Sequence, residues 1–196
     1  MNTVQEEIAA TAARMVVEEG LEYGPAKRRA VKQLGLNARA QLPNNDQLED
    51  AVREYLDVFC ADTQPAELAA LRELAAVWMA RMAAFRPHLG GAVWRGTATG
   101  LSDIYLQLFC DDSKSAEISL IDHNVRYEVS TVQGFQGEAV DALSILSSCP
   151  GLSQKVLVHL MIYDLDDLRG ALKPDGQGRT YRGDLLALTR LMKGIA

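Results

Sequence analysis

Positive charge is too scarce in this sequence to coat a nucleic acid. Against 26 acidic side chains stand 20 lysines and arginines, a formal net charge of -6 at pH 7. A broad, non-specific grip on DNA or RNA needs a cationic surface to neutralise phosphates. Nucleic acid is therefore not an expected partner, although the balance allows a local basic patch. Cysteine is scarce as well: Cys60, Cys110 and Cys149 are odd in number and lack the spacing of a metal site. That excludes a disulfide scaffold and points to buried free thiols in a reducing compartment. No uninterrupted apolar run reaches the ~20 residues that cross a bilayer. The acidic opening residues lack the basic-then-apolar order of a secretory signal. The expectation is a cytoplasmic protein with no membrane association. What is present is 48% hydrophobic residues in 196, enough for a sizeable core or for a core with a helical extension.

The first third reads as helix after helix. Residues 3–19 carry an apolar stripe of Ile8, Ala12, Met15 and Val16, with Thr3 and Glu6 at capping-box spacing and Gly20 as a stop. Gly24-Pro25 opens a second helix that Gly35 ends. Asn45 or Asp46 is expected to cap a third, with Leu48, Val52, Tyr55, Leu56 and Phe59 inward. Thr63 precedes a fourth over 65–85, with Leu68, Leu71, Ala75, Trp78, Met79 and Met82 inward. The period then changes from 3.6 to 2. Residues 103–109 alternate, with Ile104, Leu106 and Leu108 on one face and Asp103, Tyr105 and Gln107 on the other. A helix is predicted over 113–121. Alternating strands follow over 125–132 and 140–146, then a nearly continuous apolar strand over 156–163. A polar loop over 173–183 and a helix over 184–193 close the chain. Consecutive strands after a run of helices favour an α+β sheet with helices packed on it over a doubly wound fold. The organisation read from this pattern is a helical region at 1–62, a core at 63–170, and a loop with a C-terminal helix at 171–196.

One stretch departs from generic patterning. Gly91-Ala92 is followed by Arg95-Gly96-Thr97-Ala98 and then by Ser102-Asp103-Ile104-Tyr105-Leu106. This order resembles the signature of the nucleotidyltransferase superfamily, the polymerase-beta-like minimal fold. There a Gly-Ser pair leads to Arg-Gly-Thr-Ala and then to Ser-Asp-x-Asp on a strand. The resemblance covers residues 89–132, under a quarter of the chain. It implies a bacterial-type cytoplasmic protein in which Gly91, Arg95, Gly96, Thr97 and Ser102 cradle the phosphates of a nucleoside triphosphate. Asp103 would be the first carboxylate for Mg²⁺. Nucleotidyl transfer places two carboxylates two residues apart on one strand face, with a third from a neighbouring strand, because hard divalent ions prefer carboxylate oxygens. Here the second position holds Tyr105, and a phenol with a pKa near ~10 is a poor ligand for a hard ion at neutral pH. Glu128, on the next predicted strand, is the candidate for the third. The expected catalytic and metal residues are therefore Asp103 and Glu128, in a degenerate site that binds Mg²⁺ weakly or not at all.

Three function classes follow. One is a catalytically impaired nucleotidyltransferase-like protein that binds a nucleotide or a protein partner. Another is an active Mg²⁺-dependent enzyme whose altered carboxylate set is Asp103 with Glu128, or draws on a carboxylate such as Asp111 or Asp112. The third is an interaction module whose helical surface around Leu48, Val52, Tyr55 and Phe59 meets a partner or a second copy. A cell-wall ligase of the UDP-N-acetylmuramate–alanine ligase kind is not supported. It needs a Gly-rich loop ending in Gly-Lys-Thr or Gly-Lys-Ser, which is missing, and a longer chain for three domains. Two further clusters have ordinary structural readings beside functional ones. Lys27, Arg28, Arg29 and Lys32 form either an anion-holding helix or a solvated helix face. Asp164, Asp166 and Asp167 form either a divalent site or the capping residues of a helix start. His88, His123 and His159 are scattered and spacing alone argues no pairing for them; His159, within an apolar strand, is expected as a hydrogen-bonded interior or half-buried group and not as a ligand.

Overall fold

Alanine at the inner positions lets three short helices approach closely. The computed structural model describes residues 3–174 and 178–194. It divides into two compact units, one of Met1–Glu67 with Thr97–Ser102 and one of Leu68–Gly96 with Asp103–Ala196. The first unit holds α1 (Thr3–Glu19), α2 (Tyr23–Gln33) and α3 (Asn45–Phe59). Ile8, Ala12 and Met15 of α1 meet Ala26 and Ala30 of α2, and Leu48, Val52 and Leu56 of α3. Each large side chain removed from water contributes about 1.5–3 kcal/mol. Thr3 is the first helical residue of α1, not its cap.

The cap of α3 is Asn44, one residue before the expected pair. The Asn44 side chain accepts from the Gln47 N–H and the Gln47 side chain accepts from the Asn44 N–H, both at 2.8 Å. Phe59 was expected inward and is 68% exposed, because the helix ends there and its ring instead packs on Tyr55.

The second unit contains the body of α4 (Gln64–Arg81), a 3-10 turn at Ala83–Phe85, β1 (His88–Gly90), α5 (Gly91–Arg95), β2 (Ile104–Cys110), α6 (Ser113–Asp122), β3 (Glu128–Gln133), β4 (Ala139–Cys149), β5 (Gln154–Asp164), α7 (Asp167–Ala171), β6 (Arg182–Gly183) and α8 (Leu185–Met192). The fold is α+β, with helices first and then a six-stranded mixed sheet. The strand order is β3-β4-β5-β2-β1-β6, and among the described residues β2–β5 pair in parallel and the other neighbours antiparallel.

Period-2 alternation gives the sheet two unlike faces. One carries Ile104, Leu106, Leu108, Leu143, Ile145, Val158 and Leu160, all buried. Helix α4 lies on this face. Its Trp78 Nε1 donates to Ser147 Oγ at 2.9 Å, and the Cys149 thiol reaches the Ala70 carbonyl. The opposite face carries Tyr105, Gln107 and Phe109 of β2 beside His159, Met161 and Tyr163 of β5. One end of that face is closed by a smaller cluster of Phe109, Tyr163, Val140 and Ala171, with Phe135 and Leu168 packed against it. The other end, around Tyr105, His159 and Ser144, is only half-buried.

The strands containing Asp103–Phe109 and Glu128 were expected to be neighbours. They share the sheet, but β4 and β5 stand between them. The physical reason lies in the side chains. β5 buries an apolar row beside β2, whereas all six residues of β3 are exposed and suit an edge.

Candidate functional site

The Gly-rich stretch forms a short helix bracketed by two left-handed glycines. Gly91 at φ 68° starts α5, and Gly96 at φ 85° caps its end. Residues with a Cβ resist that region, so both positions call for glycine. Arg72 of α4 fastens the far end of α5, with Nε donating to the Val93 carbonyl at 3.1 Å and an Nη donating to the Trp94 carbonyl at 3.2 Å. Burial lowers the Arg72 pKa from its ordinary value, yet the guanidinium stays charged.

Beyond this turn lies the open sheet face. Gly90 pairs with Tyr105, and a Cβ on Gly91 would lie 3.5 Å from the Tyr105 ring. On its other side the Tyr105 ring stacks on His159, with centroids 4.9 Å apart and planes at 23°. The phenol therefore occupies the space between the Gly turn and β5, where the resemblance calls for a carboxylate. Asp103, just before β2, is engaged by the same imidazole: His159 Nε2 is 3.2 Å from Asp103 Oδ2. His159 Nδ1 is 2.8 Å from Ser144 Oγ on β4. The Asp103 side chain is 37% exposed and that of His159 18%.

The other expected site residues lie elsewhere. Glu128 is exposed on edge strand β3 opposite Ser144. Three strand spacings separate it from β2, about 14 Å at ~4.8 Å per spacing, so it does not join Asp103. Thr97 and Ser102 belong to the helical unit. There Ser102 Oγ accepts from the Thr99 N–H at 3.0 Å, and the loop is tied down by Gln64 to the Ala98 carbonyl and by the Gly100 N–H to Glu67. Asp112 caps α6, accepting from the Lys114 N–H and from the Ser115 hydroxyl. Asp103 is thus left with a histidine and a tyrosine as near neighbours on this face. Among the described residues no group of three or more His, Cys, Asp or Glu side chains is arranged to hold a metal ion. This donor set does not fit a two-carboxylate Mg²⁺ cage.

The secondary clusters have structural partners. Lys27 donates to Asn45 Oδ1 at 2.8 Å and to the Pro43 carbonyl at 3.1 Å, and Arg29 pairs with Glu19. Asp164 accepts from the Asp166 N–H, and Asp167 from Gln136, at the start of α7. The three cysteines are free thiols, with Cys110 and Cys149 buried. Burial, reinforced by Asp112, Asp111 and Asp164, pushes the Cys110 pKa up. His159 is hydrogen-bonded and half-buried within its apolar strand, but its juxtaposition with Ser144 and Asp103 was not read from the sequence. The alternation of His159 and Ser144 with buried neighbours marks the face they share, but only strand order puts them beside Asp103.

No family model matches the chain, and no curated protein matches it. Among solved structures it is similar to Cid1 poly(U) polymerase, in a crystal structure described for UTP selectivity with MgGTP bound. The identity is 15% and the TM-score 0.33, with 49% of this chain and 32% of that chain covered. A likeness at this level carries no argument about the site. The fold class rests on this chain's own helices and strands. Among the described residues no helix is long and apolar enough to cross a membrane.

Proposed function

We propose that this is a nucleotidyltransferase-like protein whose open sheet face binds a nucleotide and whose transfer chemistry is impaired. The observation that carries the reading is the placement of Tyr105. Its ring fills the space between Gly91 and His159 where a second carboxylate would be needed, and the remaining carboxylate, Asp103, is already paired with His159. The left-handed Gly91 and Gly96 support a turn that a phosphate can approach closely. With no carboxylate pair to hold Mg²⁺, binding relies on the turn and on polar groups of the face.

The test is thermal stability with ATP, GTP, CTP and UTP, each with and without Mg²⁺ or Mn²⁺. A nucleotide at a hundred times its dissociation constant adds about 2.7 kcal/mol to stability. Gly96→Val is expected to remove the shift, because a β-branched residue opposes a positive φ. Mg²⁺-dependent nucleotide transfer by wild type, abolished in Asp103→Ala, would reject the impaired reading. If no nucleotide stabilises the protein, the interaction-module reading takes over. Its surface is then the end of α3, where Val58 and Phe59 are 66% and 68% exposed, because Leu48 and Val52 are interior.

A further inference from the structure

We infer that Ser144, His159 and Asp103 form a nucleophilic relay on the open sheet face that accepts an acyl group from a small, activated carboxylic ester. The three residues come from adjacent strands, β4, β5 and the start of β2, and are joined in series. Ser144 Oγ is 2.8 Å from His159 Nδ1, and His159 Nε2 is 3.2 Å from Asp103 Oδ2. An ionised carboxylate only accepts hydrogen bonds, so the proton of the neutral imidazole sits on Nε2. Nδ1 then carries the lone pair and accepts from the serine hydroxyl. That is the tautomer a general base needs, and it is the role division of a serine nucleophile, a histidine base and an orienting carboxylate. The imidazole plane is held as well, by the Tyr105 ring stacked on it at 4.9 Å. All three residues are half-buried.

The same face defines the substrate class. Leu146 lies two residues beyond Ser144 and pairs with Leu157, two residues before His159. Both are exposed, at 59% and 37%, and they form an apolar step beside the nucleophile that suits a short acyl chain. Ser144 sits inside a strand paired on both sides, to Glu128 and to His159. Its surrounding backbone N–H groups serve the ladder and do not gather into an oxyanion hole. Esters with a good leaving group, such as aryl esters, are therefore the substrates, and turnover is slow.

In the step itself, Ser144 Oγ forms a bond to the carbonyl carbon while its proton passes to His159 Nδ1. The tetrahedral adduct collapses, the C–O bond to the leaving alcohol breaks, and that oxygen takes the proton back from His159. Water, deprotonated by the same nitrogen, then releases the acid and restores the serine. Asp103 is a positioning residue, because it acts through His159. The titratable groups against His159 are Asp103, just before β2, and Tyr105 of β2, while Glu128 of β3 lies opposite Ser144.

The experiment uses a fluorophosphonate probe and p-nitrophenyl acetate on the full chain without nucleotide, so it is independent of the nucleotide-binding reading. Intact mass and peptide mapping are expected to give one adduct per chain, on Ser144. Ser144→Ala should give none, and His159→Gln should slow labelling at least a hundredfold. Asp103→Asn should lower the labelling rate, and the conservative Asp103→Glu should restore part of it. Circular dichroism and melting of each variant separate chemistry from misfolding. If a variant fails to fold, the wild-type site assignment decides. Labelling at another residue, no labelling of wild type above that of unfolded chain, or unchanged Ser144 labelling in a folded His159→Gln protein would overturn the proposal.

Discussion

Tyr105 is the residue on which the chemistry of this face turns. Asp103, just before β2, and residue 105 lie two apart on one face, and a second carboxylate there would complete a pair for a hard cation. Tyr105→Asp is expected to raise Mn²⁺ affinity at least tenfold over wild type, measured by the loss of free Mn²⁺ signal in electron paramagnetic resonance. Equal binding by both proteins would mean that Asp103 is unusable while His159 holds it. His88 supports a separate prediction. It is buried, its Nδ1 lies 2.9 Å from the Arg86 carbonyl, and its ring meets Phe109 edge-on. Burial lowers its pKa from the ordinary value, with Arg182 adding to the shift and the Arg86 carbonyl and Asp184 opposing it. The unfolded chain then binds the proton more readily than the folded one. Stability contributed by neutral His88 is present above the unfolded value of about 6.5 and is lost as pH falls below it. Urea midpoints at pH 7.5 and 5.5 should differ less in His88→Gln than in wild type, and an unchanged difference would contradict the assignment. Asp103 and Tyr105 were legible in the sequence because motif spacing and alternation place them together. His159 and Ser144 were not, because they lie 56 residues from Asp103 and 15 residues from His159 respectively, and only sheet order unites them.

Elements were legible in proportion to their length. The long helices α1, α3 and α4 and the strands β2, β4 and β5 carry enough turns or alternations for their period to be read. β1 and β6, of three and two residues, carry no period and exist because β2 and β1 offer them a paired edge. The five-residue α5 reads as a turn because glycines bound it on both sides. Order within the sheet is a further step. β3 alternates like a neighbour of β2, but its exposed side chains leave it at the edge, while apolar β5 takes the interior place. The start of α3 shows how local chemistry can decide a boundary. Asn44 and Gln47 satisfy each other's backbone N–H groups, so the helix begins one residue earlier than Asn45 would set it and two earlier than Asp46 would. Asn44→Ala should cost about 1 kcal/mol of stability, read from urea unfolding, whereas Asp46→Ala should cost less. The reverse order would place the cap wrongly.

At the scale of the molecule, the sheet separates two tasks. Its apolar face, covered by α4, supplies stability through Leu106, Leu108, Leu160 and their neighbours. Its other face is divided between a closed aromatic cluster at Phe109 and Tyr163 and an open polar end at Tyr105, His159 and Ser144. The central claim is that this open end, beside the Gly91–Gly96 turn, takes a nucleotide without a metal cage. Calorimetric titration of nucleoside triphosphates into wild type and Tyr105→Asp, each with Mg²⁺ and with EDTA, tests it most directly. The account predicts that wild type binds with affinities within about twofold of each other in the two conditions, and that Tyr105→Asp binds at least tenfold tighter with Mg²⁺ than with EDTA. Binding by wild type that requires Mg²⁺, or no binding in either condition, would contradict it.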